Sequence, residues 1–311
     1  MRWMALTALL ILPTMADAVT GLQWQFAEGA VARYEISARV LLPEALTLRA
    51  QQNLDARVTE IWIDLRTTCK PLVIGKKAWE LECGLDDLQL RAAPHGPDAK
   101  RLPPILGELD EMLSGSLVQI EMGLDGRVRS VDVEGLPKNN QRQQHIQEVS
   151  RLLMARTFAA IDLQLPKKGD SGDDGVWRQK QVLAMQFVSQ AGSLGNVNVQ
   201  HTLSGEGPVH TITTKGGGVV ASGEMIAVAN EEKPKYTYDL KIEGSATFDR
   251  ESGRLVSREY VVAGSPGPSS ILNQVGDYVQ VVTLTRLEVG DDLEPFGPSI
   301  ALPIGGSLAP Q

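Results

Sequence analysis

The sequence predicts a mainly β protein: antiparallel sheets, in two similar halves or a half-barrel, with one central amphipathic α-helix. Three observations lead there. Apolar and polar residues alternate with a period of two along much of the chain, only one segment carries clear helical spacing, and parallel strands would need a crossover helix between successive members. In the first such stretch Tyr34, Ile36, Ala38 and Val40 alternate with Arg33, Glu35, Ser37 and Arg39. The pattern is that of a strand buried on one face. It returns at Val118-Ile120-Met122, Leu183-Met185-Phe187, Tyr236-Tyr238-Leu240-Ile242 and Tyr278-Gln280-Val282-Leu284.

The chain has 311 residues, with 30 basic against 38 acidic side chains and a net charge of −8. A binder of nucleic acid through counterion release needs a basic surface, so that class is excluded. A 42% hydrophobic share is ample for a folded core.

Residues 1–18 are expected to be an export leader. Arg2 precedes the apolar run Ala5-Leu6-Thr7-Ala8-Leu9-Leu10-Ile11-Leu12, and Ala16-Asp17-Ala18 offers the small-x-small pattern that signal peptidase accepts. The mature chain would then begin at Val19. The apolar run falls short of the roughly 18 residues that span a bilayer, and no transmembrane segment is expected in the mature chain. The expected location is periplasmic or extracellular.

Residues 19–136 form the expected first β half, and they hold both cysteines. Ile61, Ile63, Leu65, Thr67 and Cys69 share one alternating phase; Trp79, Leu81, Cys83 and Leu85 share another. A hairpin centred on Lys76 sets Cys69 opposite Cys83, both facing inward, and export permits a disulfide between them. Pro71 interrupts a regular ladder there. Two buried free thiols are the alternative. A short helical turn is expected at 105–113, with Leu106, Leu109 and Leu113 on one side.

Residues 137–166 hold the central helix and linker. From 141 to about 160, Ile146, Val149, Leu152, Leu153 and Ala160 keep three-and-four spacing, while Arg142, Gln143, Gln147, Glu148, Ser150 and Arg151 take the other side. Asn139 or Asn140 caps the start and Pro166 limits the end.

Residues 167–289 form the second expected β half. Its Asp249–Arg254 turn region resembles the one at Asp125-Gly126-Arg127: each has a turn Gly, then Arg, an aliphatic residue, and a Ser three places after the Arg. Duplication or shared turn chemistry both account for this. Residues 290–311, with Pro295, Pro298, Pro303 and Pro310, read as an extended tail.

Chemical motifs are sparse. His95 sits in the loop Pro94-His95-Gly96-Pro97 and His145 on the polar shoulder of the helix. A hairpin turning through Ser204-Gly205-Glu206-Gly207 would set His201 opposite His210 on one face, where two imidazoles either share a metal or form a solvated pair. Asp170-Ser171-Gly172-Asp173-Asp174-Gly175 departs from a calcium loop at its third position and at Gln181, the twelfth. Gly264-Ser265-Pro266-Gly267 lacks the spacing of a nucleophile elbow. Gly216-Gly217-Gly218 reads as a flexible turn, and Asp86-Asp87 as neighbours pointing apart on a strand. No catalytic residue, metal or cofactor is assigned.

The period-two strands with one amphipathic helix resemble, in outline, the half-barrel-and-helix architecture of periplasmic lipoprotein carriers and related lipid binders. The resemblance is of pattern over the mature chain and implies no site residues. The function expected is an exported, non-enzymatic envelope protein that holds a lipid-like ligand or a protein partner on a curved sheet. A structural or interaction module without a cavity, and an exported hydrolase working through carboxylates, are the alternatives.

Overall fold

A computed structural model describes residues 22–27, 29–41, 58–75, 77–94, 104–136, 140–166, 175–186, 192–205, 207–221, 237–266 and 278–288. The expected leader at 1–18, the tail at 290–311, His95 and Asp170 to Asp174 lie outside these residues.

Eleven strands form one antiparallel sheet: β1 (Ala32–Leu41), β2 (Val58–Ile74), β3 (Ala78–Pro94), β4 (Leu117–Gly123), β5 (Val128–Val133), β6 (Val176–Gln186), β7 (Gly192–Ser204), β8 (Val209–Ala221), β9 (Thr237–Asp249), β10 (Arg254–Pro266) and β11 (Tyr278–Leu287). Their spatial order is β5-β4-β3-β2-β1-β11-β10-β9-β8-β7-β6. Two meanders, β1 to β5 and β6 to β11, therefore lie side by side through the β1·β11 pair, with Ile36 opposite Leu284. The sheet does not close on itself, and β5 and β6 are its edges.

Alternation decides which face is covered. On β1 the burial pattern is strictly two-fold, with Ala32, Tyr34, Ile36, Ala38 and Val40 inward. The outward side chains of β1 to β3 pair across strands: Arg39 with Glu60, Arg66 with Glu35 (3.0 Å) and Asp87 (3.3 Å), Arg91 with Asp64, and Lys70 with Glu82 (2.7 Å). Such pairs contribute little each, but they keep this face polar.

The inward face is covered by α1 (Pro104–Leu113), α2 (Gln141–Thr157) and a 3₁₀ turn (Phe158–Ile161). Leu109 and Leu113 of α1 are fully buried. Asn140 caps α2 as expected, its Oδ1 accepting from the Gln143 N–H at 2.9 Å. The buried stripe of α2 includes Ile146, Val149, Leu153 and Met154. Ser150 departs from the expected polar side: it is buried, and its hydroxyl donates back to the Ile146 carbonyl at 2.8 Å. That internal bond lets a serine sit on an apolar stripe without a stranded donor.

The expected cysteine pairing is present. Cys69 faces Cys83 in the β2·β3 register and the two form a disulfide. The ladder shifts between Pro71 and Val73, where proline removes a donor. The bond closes a loop of 14 residues' separation, for which chain-entropy arguments give about 3 kcal/mol. Replacing both cysteines by serine is expected to lower unfolding stability by about that much, measured by urea denaturation, with no change under non-reducing conditions in the remaining secondary structure.

The two similar turns share more than sequence. Gly126 and Gly253 both have positive φ, +87° and +62°. In each hairpin the register slips at the residue just before the shared serine, Arg129 before Ser130 and Val256 before Ser257.

The edges of the open sheet are bridged by a strap, residues 158–165. Leu165 N–H donates to Asp125 O (2.7 Å) and Val128 N–H to Asp162 Oδ1 (3.1 Å), which ties the strap to the β4–β5 side. From β6, Trp177 Nε1 donates to Gln164 O (3.2 Å), Gln179 Nε2 to Leu165 O (3.3 Å) and Gln181 Nε2 to Asp162 Oδ2 (3.3 Å). Three side chains at alternate positions of one strand thus replace the missing ladder. Residues 22–26 cross the same end: Trp24 Nε1 donates to Leu163 O (2.9 Å), and its ring meets Phe248 edge-on at 5.4 Å.

Candidate functional site

The helix-covered face changes character between the two meanders. Across β1 to β5 its inward residues are almost all aliphatic or aromatic. Across β6 to β11 polar side chains enter it. One rung of the ladder reads Val282, Tyr260, Gly244, Thr214, His201 and Trp177 from β11 to β6. The rung on one side of it carries Leu284, Arg258, Ala246, Ile212 and Leu203; the rung on the other carries Gln280, Val262, Ile242, Gly216, Val199 and Gln179.

Arg258 is the charged centre. It is 5% exposed, and its Nη1 donates to the Ala159 and Ala160 carbonyls at 3.0 and 3.1 Å. Ala159 O also accepts the capping Asp162 N–H at 3.2 Å, so Arg258 adds a second donor there at the end of the helical run. The guanidinium lies 4.8 Å from the Tyr260 ring centre. Burial lowers its pKa, opposed by Tyr260 and Asp162. Asp162 as a residue is partly exposed, but its carboxylate is enclosed by Val128 N–H and Gln181. Burial raises its pKa, and Arg258 is the largest opposing influence.

Tyr260 and Tyr278 complete the cluster. The Tyr278 hydroxyl donates to Gln280 Oε1 at 2.6 Å. The Tyr260 ring packs beside Gly244, where an added Cβ would lie 3.5 Å from Tyr260 Cδ2 and 2.8 Å from the Glu259 carbonyl. The Tyr260 hydroxyl is buried and makes no hydrogen bond; it lies close to the Gln181 amide without bonding geometry. Burial raises its pKa.

His201 and His210 are not partners, contrary to the sequence expectation. His201 faces Thr214, with Nδ1 2.9 Å from Oγ1, and its ring stacks on Trp177 at 5.0 Å. The turn closes further along the chain than expected, with Ser204 opposite Thr211. Gly205 and Gly207 take positive φ and Pro208 lacks a donor, so pairing resumes only beyond it. His210 keeps the same face four residues from Thr214, buried, with neither ring nitrogen hydrogen-bonded. Among the described residues no group of three His, Cys, Asp or Glu is placed to hold a metal.

Burial, with a smaller contribution from Arg258, lowers the His201 pKa to about 4. A folded pKa below the unfolded value near 6.5 makes neutral His201 a source of stability that is complete above pH 6.5 and is lost as pH falls toward 4. The span corresponds to about 3 kcal/mol at most. Wild type is expected to lose urea resistance between pH 6.5 and 4.5 faster than His201→Gln. Equal slopes would contradict this assignment.

Two further expectations are corrected. Gly216-Gly217-Gly218 lies inside β8, with Gly216 and Gly217 paired on both sides and Gly218 paired with Leu240 of β9, and is no turn. An added Cβ at Gly216 would strike the Asn198 carbonyl and one at Gly217 the Leu240 carbonyl, so these glycines permit the close approach of the neighbouring backbone. Asp86 and Asp87 do not point apart. Arg66 pairs with Asp87 and Thr67 with Leu85, leaving Asp86 as an extra residue. This bulge turns both carboxylates to one side, where they line a cavity of about 120 Å³ with Arg33, Arg66, Thr67 and Leu287. His145 lies on α2, and Gly264 to Pro266 end β10.

A scan against protein-family models gives no match, and a search of the curated proteins gives none either.

Proposed function

We propose that this is an exported, non-enzymatic cell-envelope protein that holds an amphipathic, lipid-like ligand on the helix-covered face of β8 to β11. The observation that carries the reading is the Tyr260 hydroxyl, buried beside Arg258 without a hydrogen-bond partner. A stranded buried hydroxyl costs about 1–3 kcal/mol, and a ligand oxygen meets that need. The neighbouring surface suits an apolar chain: Leu240, Ile242 and Val262 are buried, while inward-facing Gly216 and Gly218 remain partly exposed. The leader expected at 1–18 and the disulfide both fit an oxidising compartment.

The hydrolase alternative needs two carboxylates facing one another. The side-chain charges acting on Asp162 are those of Arg258 and Arg127, both cations, and the two carboxylates that share a cavity, Asp86 and Asp87, are adjacent in sequence and bound to Thr68 and Arg66.

The test is titration of delipidated protein with a fluorescent fatty acid. Saturable enhancement is expected, displaced by unlabelled lysophospholipid. Tyr260→Phe is expected to bind about tenfold more weakly while the empty protein gains about 1 kcal/mol of stability. Absence of saturable binding overturns the proposal.

A further inference from the structure

The exposed apolar side chains are unevenly distributed. Connections at one end of the sheet are short: β2 to β3, β4 to β5, β7 to β8 and β9 to β10 are joined by three or four residues. Six of the eight large exposed hydrophobic residues among those described lie at this end: Val31, Leu72, Val73, Ile74, Leu124 and Val209. Leu72, Val73 and Ile74 are consecutive and 46%, 48% and 49% exposed. In a regular strand consecutive side chains alternate between faces, but here the register shift after Pro71 leaves Leu72 without a partner on β3. The first residue of β1, Ala32, pairs with Cys69, so β2 projects beyond β1 from Lys70 onward. The β4–β5 turn stands beside this projection, with Ala78 opposite Gly123 and Arg129 Nη2 donating to Lys77 O at 3.3 Å.

Charge at the β2–β3 and β4–β5 tips runs against that of the chain. Residues 70–79 contain three lysines and no acid, and residues 123–129 contain Arg127, Arg129 and Asp125, whereas the whole chain carries −8. Lys77 and Arg127 are exposed at the two turns. Glu82 and Glu121 sit one step back from the tips and already bind Lys70 and Arg129. Glu80, across from Val73, is exposed, and the Asp125 carboxylate accepts from the Arg127 N–H at 3.3 Å.

We propose that the tips of the β2–β3 and β4–β5 hairpins dock on an anionic lipid surface, with Leu72, Val73, Ile74 and Leu124 entering the interface and Lys77 and Arg127 meeting headgroup phosphates. Aliphatic side chains flanked by cations have the composition of an interfacial anchor. The anchor uses none of the residues around Tyr260 and holds whether or not the helix-covered face carries a ligand.

The test is flotation of the purified full chain with phosphatidylglycerol–phosphatidylcholine vesicles, compared with phosphatidylcholine alone. Wild type is expected to float with the anionic vesicles and to be released by salt. The triple variant L72S/V73S/I74S is expected to lose vesicle partitioning on the order of tenfold. Leu124→Ser, a smaller change, should weaken it in the same direction. K77E/R127E should lose the preference for anionic lipid, and Tyr260→Phe should float as wild type does. Failure of wild type to bind anionic vesicles, or equal binding by the serine variants, overturns the proposal. So does a wild-type dimer that the triple variant converts to monomer without any vesicle binding, since the patch would then serve a second copy of the chain.

Discussion

Replacing Arg258 by methionine is expected to lower stability by about 3 kcal/mol or more, because methionine keeps the buried volume and removes every polar contact. The Ala160 carbonyl loses its Arg258 donor, the Ala159 carbonyl keeps only Asp162 N–H, and Asp162 loses the cation that most favours its charged form. Asp162→Asn alone should cost far less, since an amide oxygen still accepts from Val128 N–H. In the Asp162→Asn background the methionine change should cost about 1–2 kcal/mol less than in wild type, a coupling that chemical denaturation of the four proteins measures directly. Additive effects would mean that Arg258 holds the strap through the carbonyls alone.

Gly126→Ala is expected to be comparably damaging. With φ at +87°, any side chain there is strained. More decisive is what the methyl meets: the Trp24 indole nitrogen and the Leu163 carbonyl, which are hydrogen-bonded to each other at 2.9 Å. The methyl would wedge that bond apart and dislodge both residues 22–26 and the strap. A loss of about 3 kcal/mol is expected, together with a red shift in tryptophan emission. Gly115 and Gly135 supply the control, since both have positive φ but nothing within 4 Å of an added Cβ. Alanine at either should cost only about 1–2 kcal/mol.

Much of the scaffold was legible because it follows from period and spacing. Tyr34 to Val40 announced their buried face, Asn140 its cap, and the centre at Lys76 placed Cys69 against Cys83. Errors arose where one residue changes the phase. The bulge at Asp86 brought two carboxylates to one side, and Pro208 moved the turn that would have faced His201 with His210. Gly216 to Gly218 resembled a turn because close strand approach and chain reversal both favour glycine.

The polar cluster was missed for a different reason. Charged residues in a strand are read as wet, yet Arg258 stands in phase with inward Tyr260 and Val262. The phase was a usable signal. Its meaning depended on the 3₁₀ turn from Phe158 to Ile161, whose Ala159 and Ala160 carbonyls no local pattern places opposite β10. Likewise the three donors of β6 gain sense only once residues 162–165 lie across them.

The most direct test of a ligand on the helix-covered face is native mass spectrometry of the full chain purified from cell envelopes without detergent. The expected spectrum contains an added mass that dissociates as an amphipathic lipid and falls sharply in Tyr260→Phe. A spectrum of bare protein at every collision energy, for both wild type and variant, would contradict it.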